Sequence, residues 1–289
     1  MPYGIASAIP ATKDRMLTDT AIDGKARTGI YRSAARSAAI TDIIRTMSKK
    51  PTLDQKRTDH AALITGASSG IGRELAIAFS QTGHVILSGR NIERLEETRK
   101  LCKDPGNTTL ACGDLKNTAT LIQLSSLSDL YRLRYLICCA SEYHKVAGDP
   151  DIDATERILT SNLLSTIKLI KLITPVLLRS GGGTVVHLNS VAGRNASPDE
   201  DDYSASKHGM SGFMKAHRFK YRERGIRCMD VFLGGMRSEM TRLRKDFDYL
   251  IDTHEAAHLI HTAATFAPTS LHSLQIEELS IGRFNFPPR

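Results

Sequence analysis

No stretch of the sequence approaches the roughly 18 consecutive apolar residues needed to cross a bilayer, so no membrane span is expected. The first residues also lack the apolar core and small-residue cleavage site of a secretory leader. The five cysteines (Cys102, Cys112, Cys138, Cys139 and Cys228) are odd in number and show no paired ligand spacing. Adjacent residues on a strand face opposite ways, which makes Cys138 and Cys139 a poor chelate, and no metal site is expected. Reduced thiols in a cytoplasmic protein are the plain reading. Glutamate is missing from the first sixty residues, which hold eleven Lys/Arg against six Asp and so carry five of the eight net positive charges. A basic excess confined to a tail is not the footprint of a nucleic-acid binder, which concentrates charge on the folded domain. There is no internal repeat of fixed period.

What is present is ordinary for a globular protein: 41% apolar and 24% charged residues over 289 positions, enough for one large core. Residues 1–58 read as an N-terminal extension, with Pro, Gly, Ser, Thr and scattered charges and no strand-like alternation. Ile30 to Met47, rich in Ala and Arg, fits a single amphipathic helix. Three readings stay open for this extension. It is a disordered or loosely docked tail, a mitochondrial-type presequence (against which its aspartates count), or a segment upstream of a start at Met47.

Residues 59–289 alternate short apolar runs with amphipathic stretches. Strands are expected at Ala61–Thr65, His84–Ser88, Thr108–Cys112, Arg134–Cys138, Thr184–Asn189, Arg227–Phe232 and Gln275–Ile281. Helices are expected between them, among others over Ile71–Gln81, Ile92–Cys102 and Asn162–Arg179. Near-continuous apolar strands with helical crossovers define an α/β class: a single doubly wound, Rossmann-type domain with a seven-stranded parallel sheet and helices on both faces.

The sharpest local signal is Thr65-Gly66-Ala67-Ser68-Ser69-Gly70-Ile71-Gly72, which follows the first strand and opens a helix. Gly66 permits the turn, Gly70 lets backbone approach a diphosphate, and Gly72 lets helix and sheet pack closely. The helix N-terminus then offers free N–H groups to phosphate. The second strand ends Ser88-Gly89-Arg90-Asn91. A carboxylate there would bind ribose hydroxyls, whereas Arg90 suits a 2′-phosphate, so NADP(H) is the expected cofactor. Asp114 and Leu115 follow the third strand, where Asp114 can accept from an adenine amino group or cap a helix.

Tyr203 and Lys207 stand four residues apart at the start of a helix, one turn from each other. An ordinary phenol, with a pKa near 10, exchanges protons poorly at neutral pH. A neighbouring ammonium, joined by an oxidised nicotinamide, is expected to lower that value, leaving Tyr203 as general acid/base. Ser190 lies just past the fifth strand, placed to hold a substrate oxygen, and Asn162 heads the preceding helix, placed to anchor a water relaying protons to Lys207.

In these motifs the stretch from about Ala61 to Ile281 resembles the short-chain dehydrogenase/reductase family. Thr65–Gly72 matches its Thr-Gly-x-x-x-Gly-x-Gly loop, Tyr203 and Lys207 match its Tyr-x-x-x-Lys, and Ser190 and Asn162 fall where its other two catalytic residues fall. The resemblance implies catalytic residues Asn162, Ser190, Tyr203 and Lys207, and a homodimer or homotetramer formed through the helices starting at Asn162 and Tyr203. It adds Ala140, Gly235 and Ser238 to a cofactor set of Gly66, Ser68, Ser69, Gly70, Ile71, Gly72, Arg90, Asn91, Asp114, Leu115, Tyr203 and Lys207.

The chain departs from the family at Cys138-Cys139-Ala140-Ser141, where Asn-Asn-Ala-Gly is usual, which puts local sheet stability in doubt. It departs again at Leu233-Gly234-Gly235, where Pro-Gly is usual, and at Ser238, where Thr is. A lid is expected over about Met236–Asp252, with Met236, Met240, Leu243, Phe247 and Tyr249 as apolar contacts. Tyr143 and His144 would border the pocket, and the acidic run Ser197 to Asp202 reads as a solvated loop. The expected function is an oxidoreductase acting between NADP(H) and a small-molecule carbonyl or secondary alcohol. The alternative is a non-catalytic NADP(H)-binding sensor or interaction protein of the same fold.

Overall fold

All five residues of β1 (Ala61–Thr65) are buried, and they alternate between two cores. Ala61 and Leu63 join one hydrophobic cluster, while Ala62 and Ile64 join the other, as the two-residue period of a strand covered on both faces requires. The computed structural model describes residues 60–143, 151–196, 198–266 and 274–283. The remaining strands are β2 (His84–Gly89), β3 (Thr108–Cys112), β4 (Leu133–Cys138), β5 (Gly183–Ser190), β6 (Ile226–Leu233) and β7 (Glu278–Ile281). They pair in parallel in the order β3-β2-β1-β4-β5-β6-β7. All seven expected strands are present. The last begins at Glu278 rather than Gln275, whose side chain instead donates to the Cys228 carbonyl at 3.2 Å.

Helices cover both faces. On one side α3 (Thr118–Leu130), α5 (Ser165–Arg179) and α6 (Asp201–Tyr221) bury Leu124, Ile170, Ile173 and Met210. On the other, α1 (Gly70–Phe79), α2 (Ile92–Leu101) and α7 (Thr253–Thr265) bury Leu75, Phe79, Leu95 and Ile260. Each such side chain contributes about 1.5–3 kcal/mol by leaving water. The strand order reverses between β1 and β4, and the crevice at their carboxyl ends is where doubly wound sheets bind ligands.

Two expectations are corrected here. Asn162 does not head a helix. The helix begins ten residues earlier with α4 (Ile152–Leu159), capped by Asp151, and passes through a π-turn at Thr160–Leu164 into α5. This stretch, Ile152–Arg179, is also long and apolar enough to cross a membrane by length and composition, although the apolar runs alone did not reach that length. Its apolar side is occupied, since Leu169, Ile170, Ile173, Val176 and Leu177 pack in the core. Finally, the replaced asparagines leave the strand ends tied. The Thr65 hydroxyl accepts from the backbone amides of Cys139 and Ala140 at 3.1 and 3.2 Å, joining β1 to the end of β4. Cys138 is buried in the core, its thiol pushed up to about 12 by burial, and all five cysteines are free. Residues 1–58, His144 and Ser197 lie outside the described residues, as does the side chain of Met240.

Candidate active site

The turn from β1 into α1 needs glycine for reasons of space as well as angle. Gly66 has φ +67°, and a Cβ there would stand 2.9 Å from the Ala140 nitrogen. A Cβ on Gly72 would stand 2.2 Å from the Gly66 carbonyl oxygen. Arg73 and Thr98 hold the loop from behind: the Arg73 guanidinium donates to the Ser68 carbonyl at 2.9 Å, and the Thr98 hydroxyl donates to the Ala67 carbonyl at 2.9 Å. Ser69 caps α1 in extended conformation without a side-chain hydrogen bond, so no side chain of the cap claims the first amides of the helix. Gly72→Ala is expected to lower the melting temperature by about 5 °C and to weaken dinucleotide binding, measured by thermal melts with and without NADPH.

This turn forms one wall of a cleft of about 560 Å³. Gly66, Ser68, Ser69, Gly70, Ile71 and Gly72 line it, as do Arg90, Asp114, Leu115, Ala140 and Ser238. A dinucleotide's diphosphate fits this wall because main chain approaches without intervening Cβ atoms and the α1 amides face it. Four residues of the expected cofactor set do not line this volume. Asn91 caps α2, accepting from the Arg94 amide at 2.8 Å. The Gly235 carbonyl accepts from the Ile251 amide at 3.0 Å. Tyr203 and Lys207 sit beyond its end. Asp114 is not a helix cap: it accepts from the Lys116 amide at 2.8 Å, and Asn117 caps α3.

Several lining residues escaped the sequence reading. Arg94 donates two hydrogen bonds to Glu239, at 2.9 and 3.1 Å, pairing α2 with the segment after β6. Arg90 pairs with Glu142 at 2.9 Å, so the guanidinium expected to read a 2′-phosphate already faces a carboxylate. Glu142 carried no motif, but two arginines within the first five residues after β2 were visible in the sequence. In the expected lid, Met236 lines the cleft and Leu243 is 90% exposed, so the lid is not uniformly an apolar wall.

Beyond the cleft, α6 presents Tyr203 and Lys207. The Tyr203 phenol faces the side chains of Ser190 and Ser141. The Tyr143 ring packs edge-on against it at 5.2 Å between centroids, and the Tyr143 hydroxyl donates to Glu200 at 2.6 Å. Ser190 also accepts from the Ala192 amide, so it is turn former and phenol partner at once. Lys207 is buried; its ammonium donates to the Leu188 carbonyl at 3.1 Å and lies 5.5 Å from the Tyr203 ring centroid. Burial brings Lys207 down to about 8, with Asp230 and then Cys139 pulling it back up. The expected acidic phenol is not found. Burial raises the Tyr203 phenol above its ordinary value, helped by the charge of Glu200, and the hydrogen bonds from Ser190 and Ser141 offset only part of this. Lys207 is committed to the Leu188 carbonyl instead. Asn162 clasps the backbone of Glu142, accepting from its amide and donating to its carbonyl, both at 2.7 Å.

The short chain dehydrogenase family model matches residues 60–248. The chain belongs to the short-chain dehydrogenase family. The cleft described above lies where the strand order of the sheet reverses, between β1 and β4. Among its relatives, a 3-oxoacyl-[acyl-carrier-protein] reductase FabG of Rickettsia conorii is 30% identical over 189 residues, 64% of this chain and 76% of that one. The mouse dehydrogenase/reductase SDR family member 7 is 28% identical over 195 residues, 64% of this chain but only 58% of the mouse protein. An actinorhodin polyketide ketoreductase with NADPH shares the fold at TM-score 0.70 and 21% identity, covering 79% of this dehydrogenase and 97% of the ketoreductase. A Burkholderia cenocepacia short chain dehydrogenase in complex with NADP does so at TM-score 0.65 and 21% identity, covering 79% and 90%.

Proposed function

We propose that this dehydrogenase moves a hydride between NADP(H) and a carbonyl or secondary alcohol, running as a reductase near neutral pH with Tyr203 as the proton donor. The observation that carries the reading is the protonated, partly buried phenol of Tyr203, facing Ser190 at the end of a dinucleotide-sized cleft. When bound, the nicotinamide supplies the hydride. The residues do the rest. Ser190 holds the carbonyl oxygen next to the phenol, and Tyr203 gives that oxygen a proton as negative charge develops on it. The buried Lys207 ammonium stabilises the phenolate left behind. Asn162 fixes the Glu142 main chain at the cleft wall rather than touching the phenol. Gly66 to Gly72, with Ala140 and Ser238, would hold the diphosphate and adjacent ribose, and Asp114 and Leu115 the adenine.

The NADP(H) preference is supported by Arg90 and Arg94, both lining the cleft beyond β2 where no carboxylate occupies the strand tip, and by a related fold bound to NADP. A second reading, NAD(H), is favoured by the Arg90–Glu142 pair, which leaves that guanidinium already partnered. One screen separates these: NADPH and NADH oxidation followed by absorbance over a panel of ketones and 3-oxoacyl thioesters, the latter chosen because of the FabG relatives. Turnover with NADPH at least tenfold above NADH is expected. Turnover with NADH alone would overturn the cofactor reading, and none with either would overturn the activity.

A further inference from the structure

A carboxylate lies buried under the reaction site, on a strand that carries none of the expected site residues. Asp230, on β6, is 4% exposed. One of its oxygens meets the His187 ring at Nδ1, 2.8 Å away. The other accepts from the Asn189 side-chain amide at 2.9 Å and from the Ser211 hydroxyl at 2.9 Å. His187 and Asn189 sit two apart on β5, so they face the same side of the sheet, and Ser211 comes from α6, one turn beyond Lys207. An ionised carboxylate only accepts, so it dictates the orientation of every neighbour: the imidazole must carry its proton on Nδ1, and Asn189 must turn its NH2 inward. The Asn189 carbonyl oxygen is then left facing the Ser190 amide, which donates to it at 2.8 Å.

We propose that Asp230 is a positioning residue for the reaction: its carboxylate fixes the Asn189 amide that holds the Ser190 backbone, and it supplies the buried counter-charge for the Lys207 ammonium. This rests on the reading of Ser190, Tyr203 and Lys207 as the reaction site. The groups facing Lys207 are Asp230 from β6, His187 and the Leu188 carbonyl from β5, Cys139 at the end of β4, and Tyr203 on its own helix. Among them Asp230 is the one held as an anion. Burial opposes its charge, but the hydrogen bonds from His187, Asn189 and Ser211 outweigh that and keep its carboxyl below the usual value. His187 is held neutral, pushed down first by burial. The Cys139 thiol is pushed up by burial and carries no charge at working pH. Asp230 is therefore the anion that keeps Lys207 an ammonium at neutral pH.

Two variants separate the two parts of this role. In Asp230→Asn the new amide donates to His187 Nδ1 and accepts from Asn189, so the geometry survives while the charge goes. The Lys207 ammonium, followed by 15N NMR across pH, is expected to titrate at lower pH than in the wild type. The alkaline loss of kcat moves down with it, giving about a tenfold drop in kcat at pH 8 with KM for carbonyl and cofactor within about threefold. In Asn189→Ala the charge stays and the Ser190 amide loses its acceptor. There kcat falls about tenfold at every pH, and the Lys207 titration is unmoved. An unchanged Lys207 titration and an unchanged kcat profile in Asp230→Asn, with the variant folded, would overturn the proposal. If Asp230→Asn does not fold, Asn189→Ala decides alone, and a kcat within twofold of the wild type overturns it. A wild-type enzyme without turnover fails the functional reading, while the NMR titration still reports on the Asp230–Lys207 coupling.

Discussion

Tyr203→Phe is expected to reduce kcat for carbonyl reduction by about three orders of magnitude, within the range that a positioned proton donor supplies. The substitution removes one oxygen and leaves the ring, so the edge-on contact with Tyr143 persists. The partner groups Ser190 and Ser141 stay in place, with Ser190 still accepting from the Ala192 amide. Because Tyr203 does not line the dinucleotide cleft, NADPH affinity measured by fluorescence titration should stay within about twofold. Retained binding with lost turnover marks catalysis. Unchanged turnover would mean that another group donates the proton, and unchanged cellular activity alongside lost turnover would favour a cofactor-sensing role for the fold.

The same site fixes the sign of the pH dependence. The phenol sits above its ordinary value, so Tyr203 remains protonated through neutrality, as a donor requires. Lys207, at about 8, loses its proton first as pH rises. Reduction should therefore hold below about pH 8 and decline above it, the limb belonging to the lysine and not to the phenol.

Arg90→Ala is expected to weaken NADPH binding by about 10- to 100-fold while leaving NADH within about twofold, measured as Kd for each. A hydrogen bond to a charged group contributes about 1.5–3 kcal/mol, and tenfold in affinity corresponds to about 1.4 kcal/mol. The loss is partial because Arg94, in the first turn of α2, also lines the cleft and remains there. Glu142→Gln should act in the opposite direction. It withdraws the carboxylate that pairs with Arg90 at 2.9 Å and frees the guanidinium for phosphate. Equal losses for NADPH and NADH in Arg90→Ala would instead point to a role in holding the cleft wall.

Much of the fold was legible because strands buried on both faces read as apolar runs, and the glycine turn announces a close approach of main chain that no other residue tolerates. Ala61–Thr65 and Thr108–Cys112 fall on the expected residues. The helix carrying Asn162 starts ten residues before the expected position, since a π-turn has no periodicity of its own to betray it. Within the site, the order Asn162, Ser190, Tyr203, Lys207 was visible, but the sign of the Tyr203 shift was not. Spacing along a helix says that a lysine is near, whereas burial by Tyr143 and the surrounding wall decides the proton. The pairs Arg90–Glu142, Arg94–Glu239 and His187–Asp230 join residues far apart in sequence, and no local pattern links such partners.

The π-turn at Thr160–Leu164 has a bearing on which length changes this chain tolerates. The buried residues Ala154, Ile158, Asn162 and Thr166 recur every four positions. In a regular α-helix four residues overshoot a full revolution by about 40°, so such a stripe would wind off the sheet. The wider turn absorbs that drift and keeps both halves in angular phase. Deleting one residue there would turn the stretch into regular α-helix, with the two halves close to their present phase but Asn162 taken out of its place in the wider turn. Asn162 would lose its grip on Glu142, and with it the wall of the crevice.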